Sequence, residues 1–109
     1  MITLKTLHLA TKEEVFQQVK SHLLTQKKKS MNSNTCKYRF DVLKCAAGCL
    51  IGEDEYKSEM EYNSWNILVD LGLVPNYHKN LIKELQNIHD FKEVYKWEEE
   101  LNKIDLNEY

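Results

Sequence analysis

All three cysteines of this chain, its only arginine and two lysines fall between Cys36 and Ile51. Cysteine at this density invites a metal reading first. Zinc takes about four sulfur or nitrogen ligands in a tetrahedron, with paired ligands about two to four residues apart. Cys45-x-x-x-Cys49 has the spacing of one such pair. The second pair is missing locally, so Cys36 with His22, His78 or His89 would have to complete the site. Thiol catalysis is the next reading. It needs a lowered pKa and a neighbouring base. Cys45 follows Lys44, which has the right electrostatic sign, yet no His-Asn or His-Asp partner can be placed by sequence. An odd number of cysteines with no secretory leader reads as free, mostly buried thiols. The three cysteines are therefore taken as packing residues, and no metal, cofactor or catalytic residue is assigned.

The residues around them are better suited to recognition. Arg39 presents a planar fork that matches carboxylate or phosphate. Tyr38 offers a stacking face with a polar tip. With Lys37 and Lys44 beside them, these residues form the candidate binding set: Lys37, Tyr38, Arg39 and Lys44. The competing reading is that Arg39 pairs internally, with Asp41 or with the acidic segment Glu53–Glu61. That segment is the candidate second contact face.

Composition narrows the class. The 109 residues are 42% hydrophobic and 29% charged, which is the balance of one globular domain spanning 1–109. No apolar run is long enough to span a bilayer and no leader pattern opens the chain, so the expected location is cytoplasmic. The net charge of −2 argues against general nucleic-acid binding. The charge is unevenly spread, however. Residues 1–45 hold nine of the fifteen basic residues and three of the seventeen acidic ones. A basic face remains open on that count.

The elements that must position these residues read as mainly α, or α+β if an extended element near residues 36–42 pairs. Residues 2–10 alternate loosely and suggest an edge strand or arm. Thr11 and Glu14 form a capping box ahead of a helix over about 12–27. Val15, Phe16, Val19, Leu23 and Leu24 make its apolar stripe, and Lys27–Lys29 suit its negative end. Residues 30–35 are a polar loop. Cys36–Phe40 reads as a strand with Cys36, Tyr38 and Phe40 on one face. Asp41-Val42 is a brief turn that either pairs this strand with a second one or leads into a helix. Leu43–Ile51 is favoured as a short buried helix, with Gly48 accepting the close approach of another backbone. Ser64 caps a helix that closes at Gly72. Asn76 caps one over about 77–88, and an Asp90–Glu93 capping box opens a last one over about 91–104, with Phe91, Val94, Trp97, Leu101 and Ile104 inward. Four to five short helices result. Trp65 and Trp97 lie on apolar stripes and are assigned to the core.

The run Cys36-Lys-Tyr-Arg-Phe-Asp-Val-Leu-Lys-Cys-Ala-Ala-Gly-Cys-Leu-Ile-Gly-Glu-Asp-Glu-Tyr56, preceded by His22-Leu-Leu-Thr-Gln26 and a basic tail, resembles small uncharacterised proteins of phages and prophages. The likeness covers about residues 11–60. Phe40-Asp41-Val42 stands where that pattern has a glycine-containing turn. The resemblance implies a phage-like origin and brings no established activity.

The expected function is a small non-enzymatic binding protein, a phage accessory protein that inhibits or redirects a host factor or defence system. Its partner would be a host protein or a small anionic ligand. Sequestration of a small nucleotide and a thiol-dependent enzyme at Cys45 or Cys49 are the alternatives. A homodimer is left open.

Overall fold

In the computed structural model, which describes residues 1–109, the capping box forms as read. The Thr11 hydroxyl accepts from the Glu14 amide, and the Glu14 carboxylate accepts from the Thr11 amide. Two orphan donors of the helix start are thereby satisfied, which stabilises it by about 1 kcal/mol. Helix α1 runs Lys12–Gln26 and ends on Lys27, whose φ of 52° is left-handed. Val15, Phe16, Val19 and Leu23 bury one face of it.

Two small antiparallel hairpins follow. The first pairs β1 (Met31–Asn32) with β2 (Thr35–Cys36). The second pairs β3 (Arg39–Phe40) with β4 (Leu43–Lys44). The expected single strand Cys36–Phe40 is thus split at Lys37-Tyr38. The Lys37 amide donates to the Ser30 carbonyl, while the Tyr38 carbonyl accepts from the Cys45 amide. Tyr38 becomes the hinge between two hairpins. The alternation is reset there, and Phe40 is turned outward at 38% exposure. The second turn closes on Asp41-Val42 without glycine, because Asp41 takes φ 56°, a region that Asp tolerates better than most residues.

The buried helix favoured over Leu43–Ile51 does not form. Leu43–Lys44 is strand, and only a 3-10 turn at Gly48–Leu50 follows. Strand pairing with β3 takes up the backbone groups that a helix would have used. The close approach expected at Gly48 is present: a Cβ there would overlap the Tyr38 carbonyl oxygen and lie 3.3 Å from Cys45 Sγ. Residues 2–10 likewise form no strand. Their backbone is held by side chains, with Gln18 bonded to both the amide and the carbonyl of Ile2, and Glu55 accepting from the Leu4 and Lys5 amides. A 3-10 turn at Leu7–Leu9 then sends Leu7 into the core.

Ser64 caps α2 (Trp65–Asp70). Its end is a Schellman motif, with Gly72 at φ 73° and the Leu73 amide donating back to the Leu68 carbonyl. Helix α3 spans Lys79–Phe91. Asn76 is not its cap. His78 occupies that place at φ 60°, with Nε2 tied to the Ala10 carbonyl at 2.8 Å. The Asp90–Glu93 box is also absent, since Asp90 still belongs to α3. The chain turns extended at Lys92, whose carbonyl accepts from Trp97 Nε1, and Val94–Lys96 winds as 3-10 into α4 (Trp97–Asn102). Phe91 is left 77% exposed. Helices α1, α3 and α4 pack on one another and α2 lies against α3, around one core of 21 buried residues. The fold is mainly α with small β elements.

Gly48→Ala should be among the costliest single-methyl changes in the chain. The added Cβ meets backbone, which has no rotamer to retreat to, so a loss of about 2 kcal/mol or more is expected. Thermal unfolding would register this as a fall of about 8 °C or more. A melting temperature within a degree of the parent would show that the contact is not tight.

Candidate functional site

Glu61 organises the region of the candidate residues. It is 8% exposed, and its carboxylate accepts from the Tyr38 amide at 2.9 Å, the Arg39 amide at 3.2 Å and the Tyr56 hydroxyl at 2.6 Å. The side chain thus supplies the partners that a neighbouring strand would otherwise give to the hinge. Tyr38 itself is buried. Its ring packs against Trp65, and its hydroxyl donates to the Asn63 carbonyl at 2.6 Å. Burial pushes its phenol far above the ordinary value. It is a strut, and its face is not offered to solvent.

Arg39 and Lys44 are cross-strand partners in the second hairpin. Both reach Glu53, at 3.4 and 3.2 Å. The guanidinium also lies 4.4 Å over the Tyr56 ring, a cation–π contact. The Lys44 hydrogen bond and charge, then the Arg39 charge, hold the Glu53 carboxyl below its usual range. Arg39 therefore pairs with the acidic segment, although its Nη2 is buried without a partner. Most of that segment is similarly occupied. Asp54 pairs with Lys5, Glu55 clamps the amides of Leu4, Lys5 and Gly52, and Glu61 holds the hinge. The lopsided charge of the sequence is knitted together here, basic half to acidic half.

Lys37 points elsewhere. Its Nζ sits 3.8 Å over the Tyr62 ring and bonds the Tyr62 hydroxyl, at the rim of a cleft of about 340 Å³ between the 62–66 segment and α3. The structure thus does not gather the four candidates. Arg39 and Lys44 share one patch, Tyr38 lies beneath, and Lys37 joins a separate concavity. One wall of that cleft is a polar stripe on α3: Lys83, Gln86, Asn87 and Asp90, at helical spacing. The opposite wall carries Trp65 and Asn66. Trp65 is 2% exposed, and its Nε1 has no hydrogen-bond partner; nor does the buried Oδ1 of Asn66. Buried polar atoms are nearly always satisfied, and two of the three exceptions in the chain belong to residues that line this cleft. Tyr62, at φ 67°, and Phe91 stand exposed at its edge.

Sequence reasoning missed Trp65, Asn66 and Lys83 as site residues. Trp65 was absorbed into the apolar stripe of α2. The available signal was the polar flank Asn63-Ser64 and Asn66 around it, together with the four polar positions of α3.

The cleft floor holds Cys36, close to His89 and Asp90, whose donor atoms lie within 4.8 Å of one another. The hydrogen bonds define their state. The Ser30 amide donates to His89 Nε2 at 3.0 Å, so Nδ1 carries the proton and donates to Asp90 at 2.8 Å. Gln86 Nε2 adds a second donor to the same oxygen at 2.7 Å. His89 thereby has both nitrogens engaged, and a metal at Nδ1 would have to expel the proton that holds Asp90. Burial, and then the Asp90 charge, push the Cys36 thiol up to about 11. Burial raises Cys49 to about 12 and Cys45 well above its ordinary value. Cys45 is sealed, and Cys49 is half-buried, its thiol on the Ala46 carbonyl at 3.1 Å. None of the three is a thiolate at neutral pH, which is the form that attacks.

Comparison with protein-family models, with curated proteins and with solved structures found no match.

Two carboxylates of the acidic segment separate by substitution. Glu61→Ala strands three donors in a buried site and should lose about 3 kcal/mol or more. Glu53→Ala removes a solvent-screened ion pair and should leave the urea midpoint near that of the parent. Equal effects would contradict the assignment of Glu61 as the anchor of the hinge.

Proposed function

We propose that this chain is a small non-enzymatic binding protein whose target occupies the cleft between the 62–66 segment and α3. The observation that carries the reading is the cleft itself, whose lining joins Lys83, Gln86 and Asn87 of α3 to Trp65 and Asn66, with Tyr62 and Phe91 exposed at its edge. Joined to the phage-type resemblance of residues 36–56, the role is that of an accessory protein in the host cytoplasm, inhibiting or redirecting a host factor or defence system. No helix here is long and apolar enough to cross a membrane. Capture of a small anionic ligand is the second reading. The size of the cleft favours it, as about 340 Å³ lies at the lower end of small-molecule sites.

A thiol enzyme has less behind it. The raised thiol values and the engaged nitrogens of His89 leave no base–nucleophile pair. At neutral pH the native chain should react with iodoacetamide far more slowly than the urea-unfolded chain at all three cysteines, as read by intact mass. Rapid modification of one cysteine in the folded state would return the enzyme reading to first place.

The cleft reading is tested by affinity capture from host lysate, comparing the parent with Asn66→Ala and Lys83→Ala and analysing both proteins and small molecules. A species held by the parent and lost by both variants is the expected result. The same set on all three baits would place the function elsewhere on the surface.

A further inference from the structure

One of the four histidines uses its nitrogens differently from the rest. His22 and His78 each turn Nε2 to a carbonyl oxygen, that of Lys44 and that of Ala10. A carbonyl only accepts, so Nε2 carries the hydrogen and Nδ1 can take a second proton with no bond lost. His8 stands exposed against Tyr77. His89 is the exception. Its Nε2 accepts from a backbone amide, that of Ser30, and its Nδ1 donates to Asp90. A proton on Nε2 would set N–H against N–H, and it would do so out of reach of water, since His89 and Ser30 are both 0% exposed. The contact admits only the imidazole with its hydrogen on Nδ1.

The titratable and charged groups that bear on the ring are His22 from α1, Lys29 ahead of the first hairpin, Cys36 within it and Asp90 on α3. From α4 it meets the uncharged Trp97, stacked at 5.5 Å. Asp90 favours an imidazolium, but it bonds Nδ1 in either state and does nothing to relieve Nε2. Relief requires Ser30 to leave. Little else holds Ser30 in place. Its hydroxyl reaches the Leu43 carbonyl at 3.4 Å, and its carbonyl accepts from the Lys37 amide of the same hairpin. The ladder between β1 and β2 is two residue pairs long, and none of residues 31–36 is buried. A segment with so little buried surface opens without the helical core.

We propose that His89 is a proton-operated latch on the first hairpin: protonation at Nε2 expels the Ser30 amide, and the segment from Ser30 to Lys37 swings away from α3. Cys36 and Lys37 belong to the cleft lining, so the latch also gates the cleft; that consequence rests on the binding reading above. The sign follows from linkage. A freed imidazole takes a proton near about pH 6.5, and the latched contact has no place for one. Acid therefore favours the open form, by about tenfold between about pH 7.5 and about pH 5.5.

Amide hydrogen exchange of the full chain, followed by NMR and corrected for intrinsic rates, tests the latch. The Ser30 and Lys37 amides should be less protected than those of Val19 and Leu85 in the core, and insensitive to low urea, as local opening requires. Their protection should fall by about tenfold over that pH range. His89→Gln offers a carbonyl oxygen that accepts from Ser30 at any pH and should abolish the dependence; His22→Gln should retain it. Ring-nitrogen NMR of the parent needs no variant to fold: His89 should keep its hydrogen on Nδ1 alone wherever Ser30 is protected. The latch is overturned if Ser30 protection does not change with pH, or if Ser30 exchanges only with the protection and urea dependence of Val19. It is equally overturned if His89 is doubly protonated while Ser30 stays protected. Gating is read from labelling of Cys36 by dithiodipyridine relative to the urea-unfolded chain, which should rise by about tenfold over the same range. Unchanged labelling with falling Ser30 protection removes the gate and keeps the latch. Neither result bears on the capture that depends on Asn66 and Lys83, so the latch and the binding reading fail separately.

Discussion

The fold depends on how closely residue 48 approaches residue 38. The backbone of Gly48 lies against the Tyr38 carbonyl with no room for a methyl group. The same carbonyl accepts from the Cys45 amide, so one oxygen fixes the second hairpin to the segment that follows it. Gly48 contributes by lacking a side chain, and its φ is not positive. Around this contact, Cys45, Ala46, Ala47 and Leu50 are sealed from solvent. Small side chains there let two backbones meet at van der Waals distance, where larger ones would hold them apart.

Carboxylates take over from that contact. Irregular backbone needs partners for its amides, and this chain takes them from acidic side chains where neighbouring strands are lacking. Glu61 serves the hinge at Tyr38-Arg39, and Glu55 serves Leu4, Lys5 and Gly52. Side-chain amides act alongside them. Gln18 holds Ile2, Gln26 holds Lys44, and Gln86 accepts from the Ala47 amide while donating to Asp90. Glu55 and Glu61, which the sequence placed in a candidate second contact face, are in this way part of the scaffold. Satisfaction is nearly complete, the exceptions being Arg39 Nη2, Trp65 Nε1 and Asn66 Oδ1.

His89 and Asp90 join scaffold and cleft. His89 is wholly buried, takes the Ser30 amide on one side and passes its proton toward Asp90 on the other. Asp90 faces the cleft floor beside Cys36. The arrangement spans α3, the start of the first hairpin and the cleft lining.

Local chemistry made much of this legible in advance. The Thr11–Glu14 capping box, the Ser64 cap, the Gly72 terminus and the apolar stripes of α1 and α3 are written in neighbouring residues, because each is satisfied within a turn or two of helix. The need for a close approach at Gly48 and the pairing of Arg39 with the acidic segment could be read from residue type. What tertiary structure alone decided lies where partners are distant in sequence. The split of Cys36–Phe40 into two hairpins, the strand at Leu43-Lys44 in place of helix, and the extension of α3 through Asp90 all follow from bonds to Glu61, Gln26, Ser30 and His89. Only the folded chain could set Lys37 apart from Arg39 and bring it to Trp65, Asn66 and Lys83. A periodic pattern records which face of an element is buried; it carries no record of which side chain will supply an irregular backbone with its hydrogen bonds.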